Sequence, residues 1–504
     1  MDKLSLILRY GILLLFVAGM ILTGILSRKK IKTANDFMLG GGRLGGWFSA
    51  FAYGTTYFSA VVFIGYGGSV SWKFGLSSVW IGIGNAVIGT LLAWLLLGRH
   101  TYRGMEKYQS KTMPEYFGKR FSSPLLKYLA SIIIFVFLVP YSASVYSGLG
   151  ILFDRAFGID SGTVILIMGL LTAVYLVLGG YLAAAANDFI QGLIMLAGII
   201  TVTCLIIFNP SVGGFSGAMQ ELGQQSADAG VQLNSLLAFS PELIALIIMT
   251  SLGTWGLPQM AHKFHAIKDE ASIKKATVIS TAFALVIAVG SYLIGTFGRV
   301  YMNGVMPVDA NGTPNGDLVV PRILEQVLTP LGAMGDILFG VIAVMVLSAS
   351  MSTLSSIVLS SSSSFTMDLL GSAMPKKLGG KKTVMVLRGI CVLLIIISVA
   401  IALKKFDAIV NLMSYSWGAV SGAFIGPFVY GIWWKGMNKY GVYASFFCGI
   451  AITVLGMTGL LGGISAPMTG AAAIICSLIV SPAVSAIAGR ITNKGNAEIV
   501  PEAK

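Results

Sequence analysis

The chain has 504 residues, of which 56% are hydrophobic and only 11% charged, whereas roughly a quarter of residues are charged in soluble domains. That composition excludes a soluble enzyme or binding module and marks a polytopic membrane protein. A net charge of +14 does not imply a nucleic-acid partner, because the basic residues neither cluster in one domain nor interleave with exposed aromatics.

Apolar windows of about 17 to 30 residues, separated by charged or Pro/Gly-rich loops, predict thirteen transmembrane helices. They fall near 6–27, 46–70, 76–98, 125–151, 162–180, 188–208, 241–260, 275–302, 331–367, 383–403, 409–433, 440–461 and 467–489. The first lacks a small-residue cleavage site and reads as a retained span rather than a signal peptide. Lys and Arg alternate between the two sides. Arg28, Lys29, Lys30, Lys32 and Arg43, then the group from Arg99 to Lys127, share one side. That side also receives Lys263, Lys268, Lys274 and Lys275, then Lys376, Lys377, Lys381, Lys382 and Arg388, then Lys435 and Lys439, and finally Arg490, Lys494 and Lys504. Opposite them stand only Lys3, Arg9, Lys73, Arg155, Arg299, Arg322, Lys404 and Lys405. The positive-inside rule makes the richer side cytoplasmic, which places the amino terminus outside and the carboxyl terminus inside. The loops 209–240 and 303–330 fall outside. No soluble domain is expected before or after the membrane part, since the tail after Ile491 is short and polar.

Cys204, Cys391, Cys448 and Cys476 all lie within apolar spans without CxxC spacing, so they read as packing residues rather than disulfides or metal ligands. His262 and His265 are expected in a basic loop, and His100 lies beside Arg99. No nucleophile with a base, and no metal cluster, is visible at membrane depth, which argues against an intramembrane enzyme.

Two spans carry interruptions. The second contains AFAYGTTYFSA, with Gly54 ahead of Thr55, Thr56, Tyr57 and Ser59; the seventh contains TSLGTWGLPQM, with Gly253, Gly256 and Pro258 close together. Pro258 removes a helical donor and clashes with the preceding turn. Breaks at matching places in two halves point to a binding site between inverted repeats, although either alone is also compatible with an ordinary kink. The ninth span reads MVLSASMSTLSSIVLSSSSSF from Met345 to Phe365. On a helix Ser352, Ser355 and Ser356 share a face, with Thr353 beside them. Those hydroxyls can bond the preceding turn or permit close helix packing, or they can replace the water around a small cation. The later run Ser360 to Ser364 is read as packing. Asp188, at the head of the sixth span, is either an intramembrane functional acid or, with Asn187, a helix cap.

These residues carry a family resemblance. LGGYLAAAANDFIQG resembles the GG-x-x-A-(x)n-T-D-x-x-Q segment of the sodium:solute symporters, SMSTLSS is similar to their ion-site helix, and GLPQMAHKF resembles their G-x-P-x-x-x-x-R-F stretch. TANDFMLGGGRLGGW also matches their approach to the first core helix, so the resemblance runs from about residue 30 to 435. It implies an all-α, LeuT-type 5+5 inverted-repeat fold and Na⁺-coupled uptake of a small solute across the plasma membrane. The halves would be 46–208 and 241–433, with an extra helix and loop in 1–45, the external loop 209–240 between them, and two further helices and a tail in 434–504.

Carried over residue by residue, the main sodium site would use the carbonyls of Thr55, Phe58 and Ala349 with the hydroxyls of Ser352 and Thr353. A second site, present in some members, would use Asp188, Ser352, Ser355 and Ser356, so one or two Na⁺ ions are expected. Solute would lie among Tyr57, Ser59, Tyr141, Thr254, Trp255 and Gln259, with Tyr415 or Trp417 as a gate; core or interface-belt roles are the alternative for these aromatics. The sequence departs from the family at Asn187, usually Thr, and at Lys263, usually Arg. Tyr57 replaces the acid of the proline-transporting branch, and Thr250 and Thr254 replace its aromatics, which weakens the case for proline. With no basic residue in the pocket segments, small zwitterions or short monocarboxylates fit better than sugars. Proton coupling through Asp188 and, further off, a channel are the alternatives.

Overall fold

The structure is a computed structural model and describes residues 3–29, 31–40, 44–309, 311–373, 381–404 and 407–492. Lys30, Arg43, Lys376, Lys377, Lys405, Lys494 and Lys504, used in the charge reading, lie outside the described residues. Helix dominates, as a bilayer requires of backbone that cannot bond to water. Among the described residues nine helices are long and apolar enough to cross a membrane, or ten if one bent pair is a single span.

The helix Ala333–Ser363 forms the axis of the fold. Every residue from Ile342 to Ser363 is buried, whereas a helix at the rim buries only one stripe. It packs against Lys3–Arg28, Gly46–Tyr57, Pro124–Phe157, Ser161–Ile207 and Lys381–Lys404. Its Ser and Ala content lets those backbones approach closely, which replaces the hydrophobic drive that lipid cannot supply. Far from the axis, Lys439–Met457 and Ala466–Thr492 pack on Ile409–Trp433.

Arg9 holds the first helix to this axis. Its guanidinium donates to Asp336 Oδ1 at 2.6 and 2.8 Å and to the Ala156 carbonyl at 2.7 Å, and it stacks 4.5 Å over Phe339. Both charged side chains are nearly buried. Arg9→Ala should therefore lower stability by about 1–3 kcal/mol, read as a fall in the melting midpoint of the purified protein that Arg9→Lys partly restores.

The fifth and sixth spans form one helical run, Ser161–Ile207, broken at Gly180 with φ 50° and ψ −154°. A Cβ there would lie 2.8 Å from Phe37 Cδ2 and 2.9 Å from its carbonyl, so glycine meets both the backbone angle and the close approach. The residues from Tyr181 to Asn187, expected to be a connection, are helical. Asn187 and Asp188 are consequently not caps: the helix is already two turns old when it reaches them, and the capping alternative falls.

Candidate ion and solute site

The second span breaks as its sequence suggests. Helix Gly46–Tyr57 ends at Phe58, which is extended at φ −108° and ψ 127°, and the chain resumes as a wide π-helix, Val61–Val70. Carbonyls of the last helical turn thereby lose their intrahelical donors. The donors just past the break are met by side chains: Ala60 N–H donates to Ser350 Oγ at 3.0 Å and Val61 N–H to Ser59 Oγ at 3.2 Å. Ser350 was missed as a member of this site.

The freed carbonyls face Thr353. Its Oγ1 lies 3.4 Å from the Thr55 carbonyl, 3.0 Å from that of Thr56, 3.5 Å from that of Phe58 and 3.1 Å from that of Ala349. A single hydroxyl proton can serve one acceptor at a time, so this nest is rich in oxygen and poor in donors. Ser352 Oγ adds a bond to Thr55 Oγ1 at 2.8 Å. All five residues expected for the first sodium site thus meet here, together with Thr56. Oxygens of this kind suit a small hard cation.

The seventh span bends by 49° between Pro241–Gly256 and Pro258–Ala266. The residue before a proline is pushed out of the helical region, and Leu257 is extended at φ −81° and ψ 126°. Because the chain re-enters helix at once, His262, Lys263 and His265 are in Pro258–Ala266 and not in a basic loop. Lys263 is buried and cannot count among the loop charges. Its Nζ donates to Ser356 Oγ at 2.9 Å and stands 3.7 Å from Asp188 Oδ2, while Ser356 Oγ is 2.9 Å from Thr56 Oγ1. Both charges are sequestered, at 1% and 0% exposure. Breaking such a pair from one side costs about 3–5 kcal/mol.

The second set of expected sodium ligands is therefore only partly gathered. Asp188 and Ser356 face Lys263, Ser352 lies between Thr55 Oγ1, to which it donates, and the Asp188 carboxylate, and Ser355 Oγ donates to the carbonyl of Ser352 at 2.9 Å. The serines from 360 to 364 are buried, with Ser362 between the Leu359 carbonyl and Cys391 Sγ, which is ordinary packing.

Of the expected solute contacts, Tyr57 and Tyr141 flank Trp417, with ring centroids 6.3 and 5.7 Å from it. Ser59 lies at the second-span break and Thr254 and Gln259 at the seventh. Gln259 Oε1 and Trp417 Nε1 are buried without a hydrogen-bond partner among the described residues, so a polar solute can satisfy them. Trp255 instead donates to the Ile88 carbonyl at 3.0 Å, and neither it nor Tyr415 makes a hydrogen bond or ring contact with this cluster among the described residues. The three departures from the proline branch converge: Tyr57 OH donates to the Thr250 carbonyl at 2.7 Å, and Thr254 Oγ1 lies 3.2 Å from the Gly89 carbonyl. Gly89 admits the phenol, since a Cβ there would stand 2.2 Å from Tyr57 OH. Sequence reasoning missed Gly89, whose role only the contact between the second and third spans reveals. A cavity of about 570 Å³ on the side predicted to be external is lined by Ser147, Asp154, Asp309, Asp317 and Asp407 among others; burial pushes the Asp317 carboxyl up to about 6.

Comparison with known proteins decides the lineage. The sequence model of the sodium:solute symporter family matches residues 37–449. The chain belongs to the sodium:solute symporter family. It is 30% identical over 497 residues to the osmoregulated proline transporter OpuE of Bacillus subtilis (strain 168), covering 98% of this chain and 96% of that protein. It is 29% identical to the sodium/proline symporter of Escherichia coli (strain K12), covering 87% and 86%. In fold it resembles a Na⁺-coupled sialic acid symporter solved in a substrate-bound outward-open state, with a TM-score of 0.75 at 20% identity over 95% of this chain and 98% of that one. As a member of this family of transporters the chain is a multi-pass protein of the plasma membrane and takes up solute together with Na⁺.

Proposed function

We propose that this sodium:solute symporter binds Na⁺ at Thr55, Phe58, Ala349, Ser352 and Thr353 and carries a small zwitterion or short monocarboxylate by alternating access. The observation that carries this is the Thr353 hydroxyl set among four backbone carbonyls at 3.0 to 3.5 Å. A cation at this point ties the second-span break to the ninth span and so orders the adjoining solute site; each ligand then raises the other's affinity by the same factor. Solute lies between Tyr57, Ser59, Tyr141, Thr254 and Gln259, and Trp417 serves as the gate. Tyr57, filling the place of the proline branch's acid and bonded to Thr250, favours a solute other than proline.

The topology proposed with it has thirteen spans, an external amino terminus and a cytoplasmic carboxyl terminus, with five-helix repeats in 46–208 and 241–433. It is supported by the matching breaks at Phe58 and Leu257, each in the first helix of its half. In proteoliposomes, an inward Na⁺ gradient should drive accumulation of one member of an amino-acid and monocarboxylate panel, and replacing Na⁺ by K⁺ should abolish it. Equal uptake in K⁺, or uptake driven by a proton gradient without Na⁺, would overturn the reading.

A further inference from the structure

One buried polar cluster, Asp188, Lys263 and Ser356, lies beside the proposed sodium site and joins it through Thr56, whose carbonyl faces Thr353 and whose hydroxyl meets Ser356. We propose that the Lys263 ammonium is a tethered cation standing in the place of a second sodium ion, so that the chain binds a single Na⁺. This rests on the sodium-coupled reading above.

Asp188 and Ser356 are two of the four residues expected to hold a second Na⁺, and the ammonium reaches both, at 3.7 and 2.9 Å. Within ion-pair distance of Asp188, Lys263 is the cation found among the described residues. It balances the carboxylate's charge, so a second ion there would leave net positive charge at a fully buried position, which desolvation forbids. Of the remaining two expected ligands, Ser352 lies between Thr55 Oγ1 and the Asp188 carboxylate, and Ser355 bonds its own helix. An ammonium also has the shape that such a place requires, because a compact point charge with three donors can sit among a carboxylate, a hydroxyl and the face of Tyr181, whose centroid is 4.9 Å away. Through Ser356 and Thr56 the tethered charge links the sixth, seventh and ninth spans to the unwound second span, the linkage a second ion would otherwise make. Since this charge never crosses the membrane, solute accumulation should follow the first power of the Na⁺ gradient and not its square.

The test is equilibrium binding of radioactive Na⁺ to the purified full-length protein in detergent, without solute. Wild type should bind one Na⁺ per chain and lose it in Thr353→Val. Lys263→Ala should bind two, with the Hill slope rising from 1 to about 2, and Lys263→Ala with Asp188→Asn should return to one. Two ions on wild type, or one on folded Lys263→Ala, would overturn the proposal. Should Lys263→Ala not fold, wild type decides: one ion lost in Thr353→Val supports the tethered cation, and one ion that survives Thr353→Val but is lost in Asp188→Asn overturns it. No Na⁺ bound by wild type would instead overturn the sodium-coupled reading on which the proposal stands.

Discussion

Replacing Thr353 by Val is expected to raise the Na⁺ concentration for half-maximal uptake by about 10- to 100-fold, and adding Ser352→Ala should bring uptake close to background. Valine keeps the volume and the branching of threonine and removes only the oxygen. That oxygen lies among the carbonyls of Thr55, Thr56, Phe58 and Ala349 at 3.0 to 3.5 Å. Hydrogen bonds to charged groups contribute about 1.5–3 kcal/mol each, and about 1.4 kcal/mol is a factor of ten. Because the hydroxyl in the folded protein also caps those carbonyls, stability must be read separately. Thr353→Ser, which keeps the oxygen, should stay within a few-fold of wild type. If Thr353→Val leaves both half-saturation and maximal uptake unchanged, the hydroxyl serves packing alone.

Gly295→Ala is expected to abolish the folded protein. A Cβ at Gly295 would lie 1.3 Å from the Gly67 carbonyl oxygen and 2.8 Å from Ser71 Cβ. The first obstacle is backbone, so no rotamer change relieves it, and the helix Glu270–Tyr301 must separate from Val61–Val70. Overpacking a core costs about 1–3 kcal/mol where side chains can yield, and more is expected here. Size-exclusion profile and melting midpoint of the detergent-extracted variant measure the effect. Gly389→Ala, whose Cβ would meet nothing within 4 Å, is the control and should match wild type. A monodisperse Gly295→Ala with the wild-type midpoint would show that these helices are not packed as described.

Much of the fold was legible because the bilayer imposes a simple rule: backbone in hydrocarbon must be helical and its side chains apolar. The predicted windows fall on helices, and the breaks at Phe58 and Leu257 lie where Gly54 and Pro258 announced them. Where prediction failed, a local signal had been read without its partner. Asn187 and Asp188 carry the chemistry of a cap, yet the helix begins earlier, at Gly180, because the tight contact with Phe37 requires a glycine in a left-handed conformation there. Lys263 carries the chemistry of a cytoplasmic loop, yet it is buried, because Asp188 on a distant helix neutralises it.

By itself the sequence determined the membrane class, the positions of the two interrupted spans and the hydroxyl-bearing face that holds Ser352 and Thr353. Each is a property of neighbouring residues: apolar run length, helix breakers and helical periodicity. Tertiary structure alone decided that Thr353 meets carbonyls from the second span, that Tyr57 is seated against Gly89 and Thr250, and that Lys263 lies beside Asp188. Those are contacts between residues far apart in the chain, and no local pattern encodes which buried charge will face which.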